Sequence, residues 1–236
     1  MRIIITRPIE RARPLASRLQ ELDFEPLLAP MLKIERVAFD LPDAPLQGVV
    51  FTSVQGVEAV ADQPALHIFP AFTVGTKTAG AARAAGFETV HNAEGDVEAL
   101  FGLISETCNP GKGLILHLSG EQTAGKLVER LSGKDFEAKR IAVYEARPED
   151  SFPSTMLENI RKKRFDAVVF FSARTAHIFN QVKEAAGVGG AFRHADAVCL
   201  SDNVAGEAEK TQWKKIHVSE TPTEQGMIAL LQALRK

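Results

Sequence analysis

The stretch "VVFTSVQGV", Val49 to Val57, returns in outline as "VVFFSARTA", Val168 to Ala176. Each is a short run of β-branched and aromatic residues that ends in a serine, Ser53 or Ser172, and passes straight into a segment with helical spacing. A continuous apolar strand leading into a helix is the half-unit of a parallel α/β sheet covered on both faces. The same junction built twice, with a hydroxyl at the same place, predicts two similar α/β domains.

Working outward, the alternation fills the chain. "RIIIT" reads as a strand, followed by a helix from about Ile9 to Leu22 with Leu15, Leu19 and Leu22 on one face. "GVVFTS" is followed by a helix through Val57 and Val60. "AFTVG" is followed by a helix ending at Gly86, a residue suited to a helix C-cap, and "ETVHNA" by one starting near Asp96, a good N-cap. "GLILHLSG", "RIAVYEA", "DAVVFFS", "DAVCLS" and "KKIHVSE" continue the series.

Longer echoes fix the arrangement. Aligning "FTVGTKTAGAARAAGFETVHNAEGDVEAL" with "VCLSDNVAGEAEKTQWKKIHVSETPTEQGMIAL" sets Ala79-Gly80 on Ala205-Gly206, His91 on His217 and Asp96 on Thr223. Asp23-Phe24-Glu25 likewise matches Asp135-Phe136-Glu137. The order is half a unit, a complete unit, then the other half. We therefore expect a discontinuous domain from residues 1–33 and 149–236, and a continuous one from residues 38–142. Segments 34–37 and 143–148 cross between them and pair as a two-stranded β connector. The competing arrangement is one large doubly wound sheet.

A net charge of −2 without a basic tract argues against a nucleic-acid partner. The apolar run at the N-terminus is too short for a secretion signal, and no later run reaches the length of a membrane span, so no membrane partner and a cytoplasmic location are expected. Cys108 and Cys199 lack metal-ligand spacing and read as reduced thiols.

In open parallel sheets, ligands bind where strand ends lead into helix N-termini. Those positions hold Arg7, Thr52, Ser53, Lys77, Thr78, Ser119, Gly120, Ser172, Arg174 and Thr223, and also the loop Ser201-Asp202-Asn203. The set is rich in hydroxyls and glycine and poor in His and paired carboxylates, which suits an anionic ligand. Each residue also has a plainer reading. A Ser or Thr before a helix serves as an N-cap, and Lys77, Arg147 and Arg174 serve as solvated charges. Tyr144, the only tyrosine, falls at a crossing and reads equally as packing or as a functional phenol. The chain has no GxGxxG after the first strand, no GxxxxGK[ST], no GxSxG and no HExxH, so nucleotide, hydride, serine-hydrolase and zinc-hydrolase chemistry lose support. None of the six histidines has metal-ligand spacing.

"TRP" at residues 6–8, "FTSVQGVEA", "VGTKTAGAARAAGF", "LSGE", "VYEARP", "VFFSARTA" and "TPTEQGMIAL" together, in this order, resemble the uroporphyrinogen-III synthase family. The resemblance implies two α/β domains and a two-stranded connector. It also implies a hydro-lyase that cyclises hydroxymethylbilane to uroporphyrinogen III, inverting ring D and losing water, with no metal and no organic cofactor. It makes Tyr144 the candidate for assisting departure of the terminal hydroxyl. Thr78, Ser53, Ser172 and Thr223 become cleft-facing hydroxyls, and Arg7 a carboxylate clamp. It further implies a monomer in heme biosynthesis, in transient contact with the enzyme that precedes it. Ser53 and Ser172 then read as two sides of one clamp. The added carboxylate of Asp202 and the cation of Lys77 depart from the family's pattern. A non-enzymatic two-lobed small-molecule-binding regulator is the reading from another class.

Overall fold

The computed structural model describes residues 1–122 and 126–235. The chain divides into two compact units, Met1–Lys33 with Arg147–Lys236, and Ile34–Ala146. The first unit opens with β1 (Arg2–Ile5), α1 (Ile9–Glu21) and β2 (Glu25–Leu28). Next come β3 (Leu32–Arg36), β4 (Leu46–Phe51), α2 (Val54–Ala59), α3 (Pro64–His67), β5 (Ala71–Thr73) and α4 (Thr76–Ala85). They are followed by β6 (Val90–Asn92), α5 (Val97–Thr107), β7 (Leu114–Gly120), α6 (Leu127–Ser132) and β8 (Ala138–Pro148). The first unit resumes with α7 (Ser154–Arg161), β9 (Ala167–Phe170), α8 (Ala173–Ala185), β10 (Asp196–Cys199), α9 (Asp202–Ala208), β11 (Lys215–Val218) and α10 (Glu224–Leu234).

Among the described residues the strands form two sheets, which excludes the single-sheet arrangement. The first has the order β11-β10-β9-β1-β2 and is parallel throughout. The second has the order β3-β8-β7-β4-β5-β6, parallel from β8 to β6. Strand order reverses between β1 and β9 in one sheet and between β4 and β7 in the other. The two crossing segments pair with each other and in doing so extend the second sheet: β8, at 11 residues, bonds β7 on one side and β3 on the other. The Val37 N–H donates to the Val143 carbonyl, and the Glu149 N–H to that of Met31, so these two strands run in opposite directions.

Alternation within single strands separates the core layers. Val49 and Phe51 pack with Val57, Leu116, Leu118 and Val143 on one face of the second sheet. Val50, one residue between them, packs with Phe72, Leu100, Ile115 and Leu127 on the other. In the first unit Ile3 and Ile5 meet Leu15 and Leu19 of α1, with Val169, Met227 and Leu231.

Among the described residues five helices end on a left-handed residue followed by a six-to-one bond, and in three of them the next residue is phenylalanine. Asp23 (φ 58°), Gly86 (φ 100°) and Asp135 (φ 63°) each adopt the left-handed conformation, and a buried phenylalanine follows each. The Phe24, Phe87 and Phe136 N–H groups bond back to the carbonyls of Leu19, Ala82 and Leu131. This is the six-to-one bond of a Schellman motif, with its hydrophobic residue just past the cap. No helix among the described residues is long and apolar enough to cross a membrane.

Candidate active site

The reversal points in strand order leave crevices at the carboxyl ends of the strands, and those crevices are where ligands bind in such sheets. In the second unit this point lies between β4 and β7. Ser53 follows β4 in extended conformation and caps α2, its Oγ accepting the Gly56 N–H at 3.1 Å. Gly120 ends β7, and β8 supplies Tyr144.

The register between β7 and β8 runs Ser119 to Ala142 and then Gly120 to Tyr144, leaving Val143 as an extra residue. Such a bulge re-aims the side chains beyond it. Val143 is fully buried, and Tyr144 packs against the same apolar cluster instead of alternating to the opposite face. The phenol ring rests on Gly120: a β-carbon there would lie 2.7 Å from the ring Cζ and 3.0 Å from the hydroxyl oxygen. That hydroxyl is 3.0 Å from the Ser53 Oγ. Arg140 Nη1 donates to the Gly120 carbonyl at 3.2 Å and to that of Glu121 at 3.1 Å, holding the loop that follows β7.

The other candidates of this unit are placed as follows. Thr52 Oγ1 lies 3.2 Å from the Nε2 of His117, which is buried within β7. Burial, and secondarily the charge of Arg140, depresses the His117 pKa to about 4, so this imidazole is neutral near pH 7. Ser119 is buried, and its hydroxyl donates to the Gly120 carbonyl. Thr78 is buried in the first turn of α4, and Lys77 beside it is exposed.

In the first unit the reversal point lies between β1 and β9, and a cavity of about 400 Å³ opens there, lined by Arg7, Arg11, Phe171, Ser172, Thr175, Thr223 and Glu224 among others. The Arg7 guanidinium stands 4.2 Å over the Phe171 ring and donates to Glu224 at 2.5 Å. Burial pulls the Arg7 pKa down, and the bond to Glu224 works against that pull. The second oxygen of Glu224 accepts from Arg18 at 2.6 Å. Ser172 caps α8 by accepting the Thr175 N–H, and Thr223 caps α10 by accepting the Gly226 N–H. Arg174 is half-buried in the first turn of α8, and Asp202 opens α9 at an exposed position.

The structure thus gathers Arg7, Ser172 and Thr223 around one cavity, and Tyr144, Ser53 and Gly120 around one phenol. The capping reading of Ser53, Ser172 and Thr223 holds as well, because a cap uses one lone pair and leaves the hydroxyl its proton. Reasoning from sequence missed Glu224 as the partner of Arg7, since a carboxylate after Thr223 looks like ordinary first-turn chemistry. It also missed His117 and Arg140. The available signal for His117 was its place inside "LILHL", an apolar run where a charged imidazole is costly. Among the described residues no group of three His, Cys, Asp or Glu side chains is placed to hold a metal ion.

A crystal structure of uroporphyrinogen-III synthetase from Helicobacter pylori 26695 superposes with a TM-score of 0.64 at 17% identity, over 100% of both chains. Two structures from Thermus thermophilus also align. One is a mutant uroporphyrinogen III synthase at 16% identity, covering 100% of this chain and 99% of that one, with a TM-score of 0.49. The other is a uroporphyrinogen III synthase at 17% identity over 100% of both chains, with a TM-score of 0.44. No curated protein matches in sequence. The family model for uroporphyrinogen-III synthase HemD matches residues 13–229, which span both units and take in Ser53, Gly120, Tyr144, Ser172 and Thr223. The chain therefore belongs to the uroporphyrinogen-III synthase family.

Proposed function

We propose that this protein is a cofactor-independent hydro-lyase that closes hydroxymethylbilane to uroporphyrinogen III, inverting ring D and releasing water. The observation that carries the reading is the single phenol of the chain, Tyr144, held at a strand-order reversal point by a bulge, a glycine seat and a serine hydroxyl. The family match disfavours the non-enzymatic regulator.

Loss of hydroxide from a hydroxymethylpyrrole is driven by the pyrrole nitrogen, which expels the leaving group to give an azafulvene. Tyr144 protonates the departing oxygen, which leaves as water. A phenol is a weak acid for this work, so most of the rate enhancement comes from holding the chain so that the substituted carbon of ring D attacks and forms a spiro intermediate. The proton lost when the last ring regains aromaticity restores the phenol. Arg7, Ser172, Arg174 and Thr223 of the first unit, and Thr52, Lys77 and Thr78 of the second, are the proposed donors for the eight substrate carboxylates, and Ser53 and Gly120 stand beside the reacting end. Ser119, buried with its proton on the Gly120 carbonyl, supports the loop instead. We take the protein to act as a cytoplasmic monomer that receives its substrate by transient contact with the enzyme making it. Its cysteines, buried and unpaired in separate units, suit a reducing compartment.

The test supplies hydroxymethylbilane in situ and resolves the oxidised porphyrin isomers. The type III isomer is expected, and the type I isomer alone, the product of spontaneous closure, overturns the reading. Tyr144→Phe is expected to lower kcat by about 100-fold or more while the fold is kept.

A further inference from the structure

We infer that Ser53 and Gly120 serve the reaction through Tyr144 and not by touching substrate: Ser53 donates its proton to the phenol oxygen, and the missing side chain of Gly120 sets the ring in place. This rests on the role proposed for Tyr144. A serine hydroxyl has one proton and two lone pairs. In Ser53 one lone pair is taken by the Gly56 N–H at 3.1 Å, and the Tyr144 oxygen lies 3.0 Å from the same Oγ. Two proton arrangements satisfy the pair. If the phenol donates to Ser53, its proton is tied up inside the protein. If Ser53 donates, the order runs from the Gly56 amide through Ser53 to the Tyr144 oxygen, and the phenol proton stays available to the leaving group.

The second arrangement is favoured as the reaction proceeds. Each bond in a donor chain polarises the next. When the phenol gives up its proton, charge develops on an oxygen that already holds a preorganised donor. The phenol then receives the aromatisation proton, and the relay returns to its starting state without net change.

Gly120 and the bulge fix the other coordinate. Gly120 does not need its freedom of backbone conformation, since it is not among the glycines with positive φ. Its requirement is space: an added β-carbon would sit 2.7 and 2.8 Å from two ring carbons of Tyr144. The ring would have to swing off its seat and away from Ser53. The Glu121 N–H, bonded to the Tyr144 carbonyl at 2.9 Å, holds the backbone on which the ring turns.

The experiment exploits the single tyrosine. Protein labelled with 3-fluorotyrosine gives one ¹⁹F resonance, which reports on Tyr144 alone. Ser53→Ala and Gly120→Ala are each expected to move that resonance and to lower kcat by about 10- to 100-fold with KM changed less than about 3-fold. Ser53→Thr, which retains the hydroxyl, restores most of the rate. Ser53→Asp keeps the helix cap but offers no proton, so it folds like the parent and remains slow, which separates donation from capping. In the Tyr144→Phe background, Ser53→Ala adds less than about 2-fold, because the two residues act as one unit. A raised KM with kcat unchanged in Ser53→Ala, or losses that multiply in the double variant, overturns the inference while type III product keeps the function. An unchanged kcat in Tyr144→Phe overturns both the role of Tyr144 and the relay built on it. Type I product alone from the parent overturns the function itself.

Discussion

His117 shows what a single buried group does to the behaviour of the whole protein. Its imidazole is 4% exposed and titrates near pH 4, against about 6.5 for a free histidine. Protons therefore bind the unfolded chain first. Stability is untouched above pH 6.5, falls as pH drops below it, and stops falling on this account near pH 4. The loss between pH 7 and pH 5 is about 2 kcal/mol, and His117→Gln is expected to remove most of it. Urea titrations of both proteins at the two pH values check this, and equal losses in parent and variant refute it. The residue scale is also where the sequence was least legible. Tyr144 and Ser53 stood out in motifs, but their contact depends on the extra residue Val143, and a bulge leaves no mark in an apolar run. Arg7 was visible as a cation after the first strand, whereas its partner Glu224 comes from a helix 217 residues further along the chain, and no local pattern connects them.

At the scale of elements, most of the fold was legible because its strands are buried on both faces and read as unbroken apolar runs between amphipathic helices. The strand that went unread was β2, whose "EPLL" is only four residues long, holds a proline and has no fully buried position. β8 was read from "RIAVYEA" and runs longer because it passes from sheet interior to connector. The Asp-Phe-Glu echo was visible as a repeat, and its cause is the helix-ending device. Aspartate at the left-handed position carries a cost that glycine does not. Asp23→Gly and Asp135→Gly are each expected to stabilise by about 0.5–1 kcal/mol. Gly86→Ala, at φ 100° and with its new β-carbon 3.3 Å from His67 Nδ1, is expected to destabilise by about 1–2 kcal/mol. Chemical denaturation of the three variants measures the signs, and a loss in both aspartate variants contradicts the strain argument.

At the scale of the whole molecule, the second unit is an insertion into the first. The two crossing segments pair along β3 and β8, and the Glu149 N–H bonds the Met31 carbonyl at the end of that pairing. A fragment of residues 31–149 keeps that bond, two core layers and every partner of its sheet. It is expected to fold alone with a single cooperative urea transition, and a broad non-cooperative one contradicts this independence.

The insertion also sets a timetable during synthesis. β1, with three consecutive isoleucines, leaves the ribosome before the other strands of its sheet, and α1 and β2 follow within moments. Its second neighbour, β9, is not translated until the entire inserted unit has been made. At about 5–20 residues per second this leaves one edge of the first sheet uncovered for on the order of ten seconds. By the end of that interval the nascent chain carries a finished domain behind an unfinished one, whose apolar edge is open to wrong pairing until β9 arrives.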